Sequence, residues 1–489
     1  MSLGLPGVGS VVAFRGWRAL QHRNYRLWFG GQAVSVIGTW MQMVAQSWLV
    51  LSLTGDPFML GLVAAAQYAP VLAFGLFGGL VADNLPKRRI LIGTQAVMMT
   101  MALILFVLTA THLVQVWHVL LVALGLGMAQ AIDMPTRNSF SVEMVGREDV
   151  ANAVALNSAL FNGARILGPA VAGLTIGAFD ISVAFLINGL SFVGVLAGLV
   201  MMSERELRSP PPMPRPNSVR GALGSLAEGL GYVRRTPLVL LAVVTVGLVS
   251  TFGMNWTVLI PSLARDVLGT DASGYGFLMS ASGIGAFLAA LWIAFSRRSR
   301  PVLIGAGALV LGSLEIVLGI SRLYPLSLLA MLIVGIGSVA MTATANTTVQ
   351  LNAPEQLRGR VMSVYMTIYV GATPIGSLIM GALASHFGTA FAVGFGGVMS
   401  AIAACVAIAW YRRIRVGSAG REEEPGATPG EPARSLEPEA APSGHPGVTV
   451  PVSPVAASVT RSERGRTRAA VRRSTGRVRS ADRLNQRRP

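Results

Sequence analysis

The sequence predicts an all-α integral membrane protein, with 12 transmembrane helices in two pseudo-symmetric six-helix bundles. Three observations predict it. Of the 489 residues, 52% are hydrophobic and only 12% are charged, about half the charged share of a soluble domain. The apolar residues gather in runs of roughly 20 or more, the length a helix needs to cross the hydrocarbon layer. The turns between these runs alternate between arginine-rich and arginine-poor, which separates inner from outer loops.

In chain order, the spans are expected near 25–52, 58–82, 89–112, 116–135, 151–178 and 181–202. After an interruption they resume near 237–264, 273–296, 301–321, 325–349, 361–385 and 389–411. The inner turns hold Arg15, Arg18, Arg23 and Arg26, then Lys87, Arg88 and Arg89, Arg234 and Arg235, Arg297, Arg298 and Arg300, and Arg412, Arg413 and Arg415. The outer turns near 53–57, 113–116 and 179–180 carry no basic residue, while Arg265 and Arg322 stand singly in outer turns of the second half. An even number of spans puts both termini on one side, and the arginines make that side cytoplasmic.

This divides the chain into a cytoplasmic segment 1–24, a first bundle 25–202, a linker 203–236, a second bundle 237–413 and a tail 414–489. The linker holds the proline-rich Ser209–Pro216. It then becomes amphipathic, with Val219, Leu223, Leu226, Leu230 and Val233 at helical spacing. Arginines flank that stretch, so it reads as an interfacial helix or a plain connector. The tail lacks apolar periodicity and is expected to be disordered. Its last part, 461–489, sets eleven arginines against Glu463 and Asp482, and it either contacts anionic lipid headgroups or is simply solvated.

Composition also excludes classes. Cys405 is the only cysteine, which leaves no intrachain disulfide and no cysteine-based metal site. No nucleophile–base set, metal constellation or nucleotide loop appears, so neither an enzyme nor a cofactor is expected. The net charge of +17 arises in turns and tail, not on a soluble domain, and nucleic acid is not an expected partner.

Residues 79–89 read Gly-Leu-Val-Ala-Asp-Asn-Leu-Pro-Lys-Arg-Arg between the second and third spans. This loop resembles the Gly-x-x-x-Asp-(Arg/Lys)-x-Gly-(Arg/Lys)-(Arg/Lys) loop of the major facilitator superfamily. Gly79, Asp83, Lys87 and Arg88 fit the pattern, while Asn84 and Pro86 depart from it. A sharper likeness runs over 131–201, in Ala131-Ile-Asp-Met-Pro-Thr-Arg-Asn-Ser-Phe, Asn152-Ala-Val-Ala-Leu-Asn-Ser, Asn162-Gly-Ala-Arg-Ile-Leu-Gly-Pro and Phe185-Leu-Ile-Asn. These segments are similar to the bacterial branch of siderophore, drug and macrolide exporters, over roughly 15–413. The segment Ala164 to Gly173 resembles the antiporter pattern Gly-x-x-x-Gly-Pro-x-x-Gly-Gly, with Gly168, Pro169 and Gly173 in place and alanine at 164 and 172. In the family that segment bends span five and packs it against span eight.

The resemblance implies gating residues as well. Asp83 is expected to meet the start of span eleven near Arg358–Val361 and to hold the halves shut, with Arg88 and Glu143 completing an ionic latch. It also implies that spans 1, 4, 7 and 10 line a central cavity. Span one carries Gln32, Ser35, Thr39, Gln42 and Gln46 at steps of three and four residues, a single polar stripe. Polar groups facing lipid are costly, so the stripe is either a substrate-facing wall or a seam of helix–helix hydrogen bonds. Asn255 with Thr251 and Ser262 in span seven, and Thr342 and Asn346 with Ser338 in span ten, would extend the cavity. Trp40, Met41, Met43, Phe252, Met254 and Trp256 beside these stripes suit a bulky lipophilic substrate or are ordinary membrane filler.

Arg165, with Asn162 on the same face, lies roughly 22 Å along span five. It would bind an anionic substrate group, tune a carboxylate, or serve as a structural arginine. Asp133, read at the cytoplasmic end of span four, and Glu315, in span nine and free to snorkel outward, are the proton-coupling candidates, with Asp133 the better placed of the two.

These features together predict a monomeric transporter in the bacterial plasma membrane. It would export small amphipathic molecules by alternating access and antiport of protons, with the lipid bilayer as its surroundings. An importer of a small nutrient and a non-transporting receptor or scaffold are the alternatives.

Overall fold

The computed structural model describes residues 17–208, 219–296 and 300–422. Among these, thirteen α-helices follow one another. They are α1 (Arg23–Thr54), α2 (Pro57–Asn84), α3 (Lys87–Ala110), α4 (Val116–Ala178), α5 (Ile181–Val200), α6 (Val219–Arg235) and α7 (Pro237–Phe252). After these come α8 (Trp256–Ser262), α9 (Ala272–Phe295), α10 (Val302–Ile320), α11 (Tyr324–Asn352), α12 (Arg358–Phe387) and α13 (Thr389–Glu422). Eleven helical stretches are long and apolar enough to cross a membrane, and the 63-residue α4 is long enough to do so twice.

Helix α4 corrects the expected span boundaries. Spans four and five were read as separate segments ending at 135 and starting at 151, but the helix runs through that interval and breaks only at Gly146 (φ 74°). A positive φ is accessible to glycine at little cost. The bend is held from outside, since the Arg208 backbone N–H donates to the Glu143 carbonyl at 2.9 Å. Pro169, by contrast, sits within helical φ/ψ.

Span seven also departs from the expectation of one helix over 237–264. It ends at Phe252, restarts at Trp256, and passes into a π-helical turn over Leu263–Val267. The final helix continues past the expected boundary at 413 to Glu422. The stretch Ser209–Pro216, the turn arginines Arg15, Arg297 and Arg298, and the 461–489 tail lie outside the described residues.

One end of the bundle is capped by acids. Asp56, Asp180 and Asp271 each accept a backbone N–H in the first turn of α2, α5 and α9, from Phe58 (2.9 Å), Ser182 (2.8 Å) and Gly274 (3.0 Å). A carboxylate there satisfies orphan donors and complements the helix dipole. The opposite end carries Arg23, Lys87 to Arg89, Arg234 and Arg235, and is called the basic end below.

Within the first half, α1 packs on α4 and α5, α2 on α4, and α3 on α4 and α5. In the second half, α10 packs on α11 and α13, α9 on α11, and α7 on α11, α12 and α13. The halves meet along two seams, α2 with α12 and α4 with α9. Both seams are lined by small residues, which let helix backbones approach closely in lipid. A methyl group at Gly173 would lie 2.8 Å from the Ala272 carbonyl oxygen, and one at Gly381 would lie 3.0 Å from that of Pro57.

Candidate functional site

The described contacts between halves concentrate toward the acid-capped end. There the Arg265 guanidinium donates to the Leu51 carbonyl (2.8 Å), and the Ser273 hydroxyl donates to that of Gly173 (3.1 Å). Nearer the middle, the Ser280 hydroxyl donates to Ile166 O (2.7 Å). Trp48 and Tyr275 stack across the same interface with centroids 6.1 Å apart.

The basic end is organised differently. Lys87 pairs with Glu143 at 2.6 Å. Arg88 pairs with Glu204 at 2.6 Å and donates to the Leu199 and Val200 carbonyls at the end of α5 (2.7 and 2.8 Å). This corrects the expected Arg88–Glu143 latch. The shorter lysine reaches α4, while the arginine fork suits the last carbonyls of a helix. All these partners belong to the first half or its exit, so the pairs tie α3 to α4 and α5. The backbones of Gly79 and Asp83 lie in α2, but the Asp83 side chain lies outside the described residues, as does its expected meeting with α12. On the other half, Glu228 of α6 pairs with Arg360 of α12, and the Tyr232 hydroxyl donates to the Asn352 carbonyl. The linker helix thereby docks on the second half.

The polar stripe of α1 does not form one continuous open wall. Gln32, Ser35, Gln42 and Gln46 are buried, and only Thr39 is exposed. The Gln32 side-chain oxygen accepts from Arg137 (2.8 Å), that of Gln42 accepts from Asn188, and the Gln46 amide donates to Gln67 (3.4 Å). The physical reason is that α1 meets α4, α5 and α2 at successive positions along its length. Polar groups on one face therefore find different neighbours along its length. Thr39 donates to the Ser35 carbonyl (2.9 Å). A small cavity of about 30 Å³ lies beside Gln46, Ser47, Gln67, Tyr68 and Thr257.

Asp133 lies inside α4, which continues twelve residues further to Val145. It is 2% exposed and fully engaged. Its carboxylate accepts from Thr94 (2.8 Å), Gln95 (2.9 Å) and two Arg137 nitrogens (3.0 and 2.6 Å). The Arg137 guanidinium also lies 5.7 Å from the centre of the Trp28 ring. This network joins α1, α3 and α4, so its members stabilise one half internally.

A second cluster lies between the halves. Arg165 of α4 places its guanidinium 5.8 Å from the centre of the Trp256 ring. Tyr369 of α12 is close enough to interact with it electrostatically, and Tyr68 of α2 lies in turn near Tyr369. Tyr365 stacks on Tyr369 with centroids 6.3 Å apart. Behind Trp256, its indole N–H donates to Glu315 at 3.1 Å. Glu315 is 3% exposed, which corrects the expectation that it snorkels outward: it points into the bundle beneath the break in span seven. Its second carboxyl oxygen has no partner among the described residues. A cavity of about 10 Å³ adjoins it, with Gly253, Trp256 and Leu318 in its wall.

The remaining candidates take local roles in this conformation. Asn162 donates to Ser158 O (2.8 Å), Asn255 to Thr251 O (2.7 Å) and Thr342 to Ser338 O (2.8 Å), all in their own span. Asn346 accepts from Gln350 (2.6 Å). Gly168 faces Trp40 of α1, whereas Gly173 and the Pro169 carbonyl face α9. The antiporter-like segment is thus shared between two interfaces. Sequence reasoning missed Trp256 as the link between Arg165 and Glu315, and the tyrosines Tyr68 and Tyr369. The one available signal was Gly253-Met254-Asn255 in the middle of a span, a combination unfavourable to helix. Among the described residues no group of His, Cys, Asp and Glu is suited to hold a metal.

Comparison with known proteins adds the family. The model of the transmembrane secretion effector family, within the major facilitator superfamily, matches residues 15–440. The multidrug efflux pump Tap of Mycolicibacterium fortuitum is 28% identical over 366 residues, covering 72% of this chain and 87% of that protein. The staphyloferrin A transporter of Staphylococcus aureus is 23% identical and covers 74% and 90%. The enterobactin exporter EntS of Shigella boydii is also 23% identical, covering 81% and 94%. Among solved structures, the POT family transporter PepTSo superposes with a TM-score of 0.63 at 16% identity, covering 81% of this chain and 99% of its own. Nucleoside transporter NupG gives 0.63 at 16%, covering 80% and 99%. At these identities the structural likeness concerns the fold.

Proposed function

The chain belongs to the transmembrane secretion effector family of major facilitator transporters, and from that premise we propose that it exports small amphipathic molecules by proton antiport. The observation that carries the reading is the mid-depth cluster between the halves, where Arg165, Trp256 and Tyr369 come from both halves. A site built from both halves is remade whenever they move, which alternating access requires. Efflux is the direction named for the relatives Tap and EntS, and large adaptable aromatic groups suit an amphipathic cargo.

In this reading the halves rock about the two small-residue seams. Glu315 is the preferred proton carrier. It is a buried carboxyl with one free oxygen and one neutral donor, placed one side chain away from the cluster. Asp133 is less suited, because four bonds already commit it to the first half. The chain would act as a monomer in the bacterial plasma membrane, with its termini and basic turns inside.

The test is uptake into everted vesicles of anionic, neutral and cationic fluorescent amphipaths, with and without an inside-acid gradient. The expectation is uptake that rises with the gradient, and loss of that dependence in Glu315→Gln. Uptake indifferent to the gradient would defeat antiport, and no uptake across the panel would defeat export.

A further inference from the structure

Arg165 is a cation in the middle of a membrane bundle whose guanidinium stacks on an aromatic face and pairs with no described carboxylate. Charged side chains at this depth pair with one another, with backbone carbonyls or with water. Among the described residues Arg165 makes no hydrogen bond and no ion pair. Its neighbours are the face of Trp256 and the tyrosine Tyr369. Part of its surface remains open. The other intramembrane arginine, Arg137, shows what satisfaction looks like, with Asp133, Gln32 and Trp28 around it.

The carboxylate nearest to the cluster does not serve Arg165. Glu315 is bonded to the indole nitrogen of Trp256 and makes no ion pair with Arg165 among the described residues. Arg165 meets Trp256 from α8 and Tyr369 from α12, with Gly283 of α9 against its carbonyl; Trp40 of α1 packs on Phe161 one turn away, and Tyr68 of α2 lies near Tyr369. Apart from the glycine all are aromatic groups, and none carries a carboxylate.

We propose that Arg165 is the binding site for an anionic group of the cargo, a carboxylate or similar planar oxyanion carried next to an aromatic ring. The guanidinium stacks on Trp256 through one face, which leaves its edge for a bidentate oxyanion. The aromatic part of the cargo would lie among Trp256, Tyr369 and Phe161. The binding energy comes from satisfying a donor fork left open in the unliganded protein, so a neutral analogue of equal shape forfeits it. This assignment rests on the export reading for its biological sense, but binding by itself can be measured without transport.

The experiment uses the purified full-length protein in neutral detergent and equilibrium dialysis with 1-naphthaleneacetate and its neutral isostere 1-naphthaleneacetamide. Wild type is expected to bind the acid about tenfold or more tightly than the amide. Arg165→Gln should bring the two within about twofold, and Arg165→Lys should keep a reduced preference, since a point charge replaces a fork. Equal binding of acid and amide by wild type, binding of neither, or an unchanged ratio in folded Arg165→Gln would each overturn the proposal. Vesicle uptake separates the two readings. A preference for the acid without uptake removes export and leaves the anion site. Uptake of neutral amphipaths that is indifferent to Arg165→Gln, with no acid preference in binding, removes the anion site and leaves export.

Discussion

Two arginines inside the bundle, Arg137 and Arg165, lie on the same long helix and meet opposite fates. Arg137 donates two bonds to Asp133 and one to Gln32, and it faces Trp28. Arg165 faces Trp256 and Tyr369 across the boundary between halves, with no ion pair among the described residues. Arg137 lies where three helices of one half meet. On the alternating-access reading, any partner of Arg165 on the second half would be carried away when the halves rock. A permanent ion pair suits the first place, and an open donor fork suits the second.

The contrast can be broken from the saturated side first. Asp133→Ala should cost about 3–5 kcal/mol, the price of stranding a buried charge, read as a large fall in thermal stability in detergent and in membrane level. Asp133→Asn should recover part of that loss by keeping the bonds to Thr94 and Gln95. A fully stable Asp133→Ala would mean that Arg137 needs no partner and that the comparison is empty.

A smaller effect is expected behind the open site. Trp256→Phe keeps an aromatic ring near Arg165 but removes the only donor to Glu315 among the described residues, and should cost about 1–3 kcal/mol. Pairing it with Glu315→Leu in a double-mutant cycle sharpens the point. If the indole bond matters, the second change should add little to the first, whereas simple additivity would place the two residues in separate environments.

The smallest expected effect lies at the ends. Lys87→Gln removes the charge from the largely buried pair with Glu143 but keeps a donor in reach of it, and should cost about 1 kcal/mol, with high salt reducing the difference from wild type. At the other end, burial works against the charge of Asp180. The N–H groups of Ser182 and Ile181, the Ser182 hydroxyl and nearby His112 outweigh it, and hold the carboxyl below its ordinary value. A depressed carboxyl stabilises the fold above the ordinary aspartate range near pH 4 and loses that contribution as pH falls. Asp180→Asn should flatten the acid limb of a stability–pH curve, and an unchanged curve would show that the cap carries no pH dependence.

Much of the fold was legible in the residues, because the bilayer reads a chain through few variables. Length of apolar run suffices for the number of spans, and the Gly168–Gly173 segment announces a close helix seam. The site was less legible. Five polar residues on one face of α1 look alike in sequence, yet Gln32, Gln42 and Gln46 bond to α4, α5 and α2 respectively. Helical spacing says which residues share a face and nothing about which neighbour that face meets. Similarly, Arg88 and Lys87 are adjacent charges, and only the position of α4 and the linker decides that the lysine takes Glu143 and the arginine takes Glu204.

By itself, then, the sequence determined that this is a polytopic helical transporter with a basic face, two halves and a linker between them. Those properties follow from local hydrophobicity, charge and motif, each set by residues close in the chain. The tertiary structure alone decided that Asp133 is spent on Arg137, that Glu315 turns inward beneath a broken helix, and that Arg165 looks across the interface at Trp256. Such facts depend on groups tens to hundreds of residues apart arriving within a few ångströms, and in a low-dielectric interior that distance determines whether a charge is satisfied or still open to a ligand.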